Sequence, residues 1–128
     1  MPAASPGAGP VRGVRDLLLG MAGLLIWAGH FTVIYAGAAL ACARGWAEAR
    51  PFGVPALTLV VGVATLAALL GLARVLRATW PAMRQGAPDE GGEAEPRFSR
   101  WFAATATLYA IVAVLIQAMP VLFLPSCA

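Results

Sequence analysis

Three long apolar runs, Leu17 to Ala41, Val54 to Ala73 and Trp101 to Leu124, are separated by short polar stretches that hold nearly all the charge of the chain. Each run exceeds the roughly 18 residues that a helix needs to cross a hydrocarbon core of about 30 Å. Backbone amides inside lipid must be satisfied within their own segment, so these runs predict helices. The expected fold is all-α, an integral membrane three-helix bundle with helices over about 16–42, 54–77 and 101–124. Residues 1–15 are expected to form a disordered cytoplasmic tail, because three Pro, three Ala and two Gly among the first 11 residues offer little apolar bulk. Residues 16–128 then form the transmembrane domain, with a solvated cytoplasmic loop over 78–100 in which Gly86, Pro88, Gly91, Gly92 and Pro96 lie among four acids.

The ends of the runs carry local signals. Asp16 suits the N-cap of the first helix. Trp46 and Phe52 in the first loop, and Trp101 and Phe102 at the start of the third helix, are expected at the headgroup level, where aromatic rings are favoured. Pro51 and Pro55 fit the first turn of the second helix, where a missing amide hydrogen costs nothing. Trp80 and Met83 are expected to lie along the membrane surface after that helix, and Pro120 to kink or end the third one.

Composition supports the membrane reading: 60% of residues are hydrophobic, 12% are charged and the mean hydropathy is +0.78, a balance foreign to soluble globules. The net charge of +3 does not point to nucleic acid, because all nine basic residues are Arg placed at helix ends, where phospholipid headgroups lie. Counting them sets an orientation. Arg12, Arg15, Arg74, Arg77, Arg84, Arg97 and Arg100 make seven on one side, against Arg44 and Arg50 on the other. The positive-inside bias then puts the N-terminus in the cytoplasm and the C-terminus outside. The first apolar run, at about 25 residues, is too long for a cleavable signal peptide and reads as an uncleaved helix. Ala39-Leu40-Ala41-Cys42 is a poor lipoprotein box, since Ala stands where a larger aliphatic is usual.

Few residues can carry chemistry. With this topology the first and third helices both end on the outer side, so Cys42 and Cys127 fall at one interface, and a disulfide between them is sterically plausible in an oxidising compartment. Two thiolates could instead take Cu(I), but without companion Met or His in the outer loop the structural bridge is favoured. His30, the one histidine, lies about 13 residues into the first helix, near the bilayer midplane. An ionisable group at that depth is a candidate for cofactor binding or proton relay. The plainer reading is a neutral ring bonded across the bundle to Gln117 or to a Thr of a neighbouring helix. Gly23, Trp27, His30, Ile34, Gly37 and Ala41 recur at helical spacing and predict a packing stripe. On the second helix Thr58 with Gly62, Ala64 with Ala68 and Ala67 with Gly71, and on the third Ala106 with Ala110, form further small-residue edges. No Asp, Glu, Arg or Lys lies within a predicted helix core, and no phosphate loop, metal-ligand cluster or nucleophile–base pair is present, so no resident cofactor is expected and an autonomous enzyme is disfavoured.

Trp27-Ala28-Gly29-His30-Phe31 with Tyr35, the helix end Ala41-Cys42-Ala43-Arg44, Gln117-Ala118-Met119-Pro120 and the terminal Leu124-Pro125-Ser126-Cys127 give the chain one likeness. In these positions it resembles small three-helix bacterial membrane proteins encoded near haem-copper (cytochrome c) oxidase genes. The resemblance covers most of the chain in layout and about 15 positions in motif. It implies a multi-pass protein of the bacterial inner membrane, packed in lipid beside a larger complex, as an accessory subunit or assembly helper of the respiratory chain. It assigns no catalytic residue. The competing expectation is a haem- or copper-handling protein that uses His30 or Cys42 and Cys127. A small homo-oligomeric transporter ranks last, since only His30, Gln117 and the Thr side chains could line its path.

Overall fold

The structure, a computed structural model, describes residues 10–85, 96–125 and 127. Among them every regular element is helical: α1 (Pro10–Ala43), α2 (Ala56–Arg84), α3 (Pro96–Ala118) and a single turn, α4 (Pro120–Phe123), with two short 3-10 turns at Trp46–Glu48 and Pro51–Gly53. Within them Leu17–Ala43, Ala56–Arg84 and Phe98–Phe123 are long and apolar enough to cross a membrane, with mean hydropathies of 1.9, 2.3 and 2.1. Within an 18-residue apolar stretch of each span only 17%, 22% and 17% is buried inside the bundle, so most of their apolar side chains face outward and require an apolar solvent.

Residue pairs fix how the helices run. Gly23 lies against Thr107, and Cys42 is bridged to Cys127, so α1 and α3 are parallel with an almost constant offset along their length. Ile26 meets Gly71, His30 meets Thr65 and Gly37 meets Val60, which makes α2 antiparallel to α1. This arrangement gathers Arg15, Arg74, Arg77, Arg84 and Arg100, all exposed, at one end of the bundle, and Arg44 and Arg50 at the other. The core is thin because the helices meet through small residues: Ala68, Leu72, Ala110 and Val114 are buried, with Ile26, Trp27, Leu69 and Ile111 packed around them.

Helix ends depart from the expected bounds for identifiable reasons. α1 begins at Pro10, so residues 10–15 are helical and Asp16 lies inside the helix rather than at its cap, while residues 1–9 of the expected tail lie outside the described residues. The helix stops where Gly45 takes φ +69° and the Arg44 and Gly45 amides close onto the Leu40 and Cys42 carbonyls. Pro55 precedes α2 and Pro51 opens the 3-10 turn, so neither lies within the first turn of α2.

α2 continues through Pro81 to Arg84, shortening the loop expected over 78–100, of which 86–95 lie outside the described residues. Its last turns are held from both sides. Buried Thr79 donates its hydroxyl to the Val75 carbonyl at 2.9 Å, and Met83 accepts the Thr105 hydroxyl of α3 through sulfur at 3.7 Å. Met83 therefore packs against α3 instead of along the membrane surface. Pro120 ends α3 as expected: it has no amide hydrogen for the Ile116 carbonyl, which accepts from Met119 in a tighter turn at 3.3 Å before α4 begins.

Phe52 has φ +58°, a left-handed conformation that a bulky side chain rarely adopts, and its ring is 98% exposed. The ring makes no packing interaction that holds the turn. Phe52→Asn, which tolerates this region, is therefore expected to raise thermal stability in detergent by about 0.5–1 kcal/mol. A fall in the melting temperature would show that the turn depends on the ring.

Candidate functional site in the groove at His30

His30 is 4% exposed, one of three buried polar residues among those described, and it lies near the middle of the first apolar span, Leu17–Ala43. Its Nε2 is 3.1 Å from the Thr65 hydroxyl of α2, and its Nδ1 is buried without a partner. Other hydroxyls have local acceptors: Thr32, Thr79, Thr105 and Thr107 each donate to a carbonyl one turn back on their own helix. Thr65 is the hydroxyl that joins α1 to α2, whereas the Thr105 hydroxyl, shared between Trp101 of its own helix and the Met83 sulfur, joins α3 to α2. When Thr65 donates to Nε2, the ring proton resides on Nδ1 and has no acceptor. When Nε2–H donates to Thr65, Nδ1 is a lone pair with no donor. In both tautomers one strong hydrogen-bonding site of a deeply buried ring is unused.

The ring lines a cleft of about 620 Å³ between α1 and α2, bounded by Gly29 and Val33 on one side and Val60, Ala64 and Ala67 on the other. Gly29 leaves this wall bare, since a Cβ there would meet nothing within 4 Å. Exposure of Gly29, Val33, Val60 and Val63 shows that the cleft opens sideways, on the outer surface of the bundle. On a different side of α1, Trp27, Phe31 and Tyr35 form a ladder of rings with centroids 6.1 and 4.3 Å apart.

The expected packing stripe is divided between two partners. Gly23 approaches α3 at Thr107, Trp27 joins the core, His30 bonds to α2, and Gly37 lies against Val60. Gln117 does not reach His30, and its Oε1 is buried without a partner. Of the small-residue edges, Gly71 packs against Ile26, whereas Gly62 faces open space. Cys42 and Cys127 form a disulfide with their Cα atoms 5.8 Å apart, which leaves no thiolate for copper. A haem iron at His30 would have to take Nε2 from Thr65 or use the more hindered Nδ1, and among the described residues no three His, Cys, Asp or Glu side chains gather around a common point.

Replacing either partner tests the interhelical bond. Thr65→Val is expected to cost about 1 kcal/mol, with a His30→Ala/Thr65→Val double-mutant cycle giving a coupling of about 0.6–1.7 kcal/mol. Additive losses, measured by reversible unfolding in mixed micelles, would mean that the two side chains do not interact.

In comparisons with known proteins, no family model, curated protein or solved structure matches this chain.

Proposed function

We propose that the chain is a non-catalytic accessory protein of the bacterial inner membrane, oriented N-terminus in and C-terminus out, which acts by packing against a larger respiratory assembly of the haem-copper oxidase type. One observation carries the non-catalytic part. Of the buried polar residues, His30 is bonded to Thr65 of α2, and Thr79 and Thr107 are bonded to carbonyls of their own helices, while the outward faces of the spans are apolar. Such a surface binds by shape and dispersion. Exposed Tyr109, Val112, Leu115 and Ile116 on α3 present it a broad face opposite any aqueous chemistry. The choice of partner rests on the resemblance around Trp27 to Tyr35 and at the C-terminal Leu-Pro-Ser-Cys. The orientation rests on the excess of Arg at the end that holds Arg74, Arg77, Arg84 and Arg100.

The test is photocrosslinking in native membranes, with a benzophenone amino acid at Leu115 or Ile116 and mass spectrometry of the adducts. Adducts with an oxidase subunit are expected, together with an absorbance spectrum of the purified chain free of haem bands. Exclusive labelling of lipid, or a haem spectrum that disappears in His30→Ala, would overturn the reading.

A further inference from the structure

We propose that Arg74 and Arg77, on the outward face of α2, form a binding site for the phosphate group of an anionic phospholipid, held between their two guanidinium groups. The site lies on a different helix from the accessory contact on α3 and does not depend on it.

The first observation is depth. The antiparallel register of α1 and α2, with Ile26 against Gly71 and Gly37 against Val60, sets Arg74 level with Gly23, Arg77 with Gly20 and Trp80 with Leu17. The parallel register of α1 and α3, with Gly23 against Thr107, brings Trp101 to the level of Leu17 as well. Trp80 and Trp101 thus share one level with the first residue of the apolar span Leu17–Ala43, and tryptophans so placed mark the membrane boundary. Counted from Trp80, Arg77 lies about 4.5 Å and Arg74 about 9 Å deeper along the helix, and both are exposed. A helical side chain leaves its Cα toward the helix N-terminus, which for α2 is the opposite end of the bundle, so Arg74 starts away from the nearer headgroups.

The second observation is that the chain supplies no counter-ion at this depth. No Asp or Glu occurs in Leu17–Ala43, Ala56–Arg84 or Phe98–Phe123, and Asp16, Asp89, Glu90, Glu93 and Glu95 lie outside these spans. Among the described residues neither the Arg74 nor the Arg77 side chain has a hydrogen bond or an ion pair. Positions three apart on a helix are neighbours, about 5–6 Å between Cβ atoms, so the two like charges repel. Arginine keeps its charge in such surroundings, and a charge at membrane depth is paired. An anion between the two guanidinium groups removes the repulsion and supplies the pairing, and their N–H groups donate to phosphate oxygens in the fork geometry that arginine presents.

The surroundings select a lipid as the source of the phosphate. Leu70 and Leu66, one and two turns deeper on the same face, are exposed, so a lipid phosphate at Arg74 brings its acyl chains onto apolar surface that a free phosphate ion would leave uncovered. Arg84, exposed and two turns above Arg77 on that face, meets the headgroup. It repels the cation of a zwitterionic lipid and so favours a headgroup of net negative charge.

Full-length protein in micelles would be titrated with phosphatidylglycerol and, separately, with phosphatidylcholine, and bound lipid counted by native mass spectrometry. Phosphatidylglycerol is expected to bind the more tightly, and Arg74→Gln and Arg77→Gln each to weaken it about fivefold, the scale of one arginine at a membrane surface. Arg15→Gln removes the same charge from the same end of the bundle but outside the site, where salt screens it, and should weaken binding less than about twofold. Equal affinities for the two lipids would overturn the proposal. Equal losses in all three variants would also overturn it, by assigning the preference to diffuse attraction from the whole arginine-rich end. Displacement of the lipid by an excess of inorganic phosphate would overturn the lipid as the source and leave a site for the free ion.

Discussion

Loss of the Cys42–Cys127 bridge, by reductant or by Cys42→Ser/Cys127→Ser, is expected to lower the stability of the bundle by about 2–4 kcal/mol. The bridge closes a loop with a sequence separation of 85 residues, for which the chain-entropy relation gives about 4–5 kcal/mol. That value suits a chain free to expand in water. Helices that stay threaded through a bilayer keep their ends near one interface after the bundle loosens, so the constraint removes less freedom and the effect lies toward the lower end. The loss should be concentrated where the bridge acts. The C-terminal segment after the break at Met119 is held by the bridge and by thin contacts of the α4 turn with α2, and Leu122, Phe123 and Leu124 are 70%, 77% and 65% exposed. Hydrogen exchange or protease access on detergent-solubilised protein should therefore rise first beyond Met119 upon reduction. An unchanged melting temperature, with full alkylation of both thiols, would show that the bridge adds nothing to the fold.

The bridge was legible before the structure because it depends on topology. Once three spans are recognised, the first and third must end on the same side, and the only two cysteines lie at those ends. The spans themselves were legible from hydropathy, and the break at Pro120 from the missing amide hydrogen. Helix bounds were not, because lipid-facing apolarity ends sooner than helical hydrogen bonding: α2 extends to Arg84 on the strength of Thr79 and the Thr105–Met83 contact, neither of which shows in a hydropathy pattern. The partner of His30 was expected among Gln117 and the threonines without a choice between them. Depth would have separated Thr65 from Thr58, though not from Gln117. Thr65 lies nine residues into α2, about 14 Å from its start, whereas Thr58 lies only two residues in, near the outer end. The cleft was not legible, since almost every residue around it is apolar and periodicity then gives no face.

Placed along α1, the contacts show one helix pair clamped at two levels. Gly23 and Cys42 are 19 residues apart, about 28 Å along the axis, and both fasten α1 to α3. Between them α1 turns its polar ring toward α2 instead, and the cleft lies on that side. α3 is thus packed against both neighbours, on α1 through Gly23 and on α2 through the core of Ala68, Leu72, Ala110 and Val114, while α2 is joined to α1 by one interhelical hydrogen bond and by the contacts of Ile26 and Val60 with glycines.

The lower clamp gives the second large effect. Gly23 is buried, and a Cβ built on it would lie 2.9 Å from the Thr107 hydroxyl oxygen, 3.2 Å from the Thr107 Cα and 3.4 Å from its amide nitrogen. The hydroxyl cannot easily withdraw, because it is bonded to the Ala103 carbonyl at 2.6 Å, and the Cα belongs to the backbone of α3. Gly23→Ala must therefore push α1 and α3 apart and weaken the contacts around Ala103, Ala104 and Thr107, all of them fully buried. A loss of about 1–3 kcal/mol is expected, by the usual scale of overpacking, and Gly23→Leu should prevent the helices from closing at all. Gly29→Ala is the matched control: the same change on the same helix in open space should be neutral or stabilising by up to about 1 kcal/mol, because Ala is the better helix former. Thr107→Ala placed on Gly23→Ala removes the nearest clashing atom but leaves the backbone contact, so it should restore only part of the stability. Equal melting temperatures for Gly23→Ala and Gly29→Ala would mean that α1 and α3 do not approach through Gly23. Full rescue by Thr107→Ala would mean that the approach is limited by a side chain and that the backbones themselves remain farther apart.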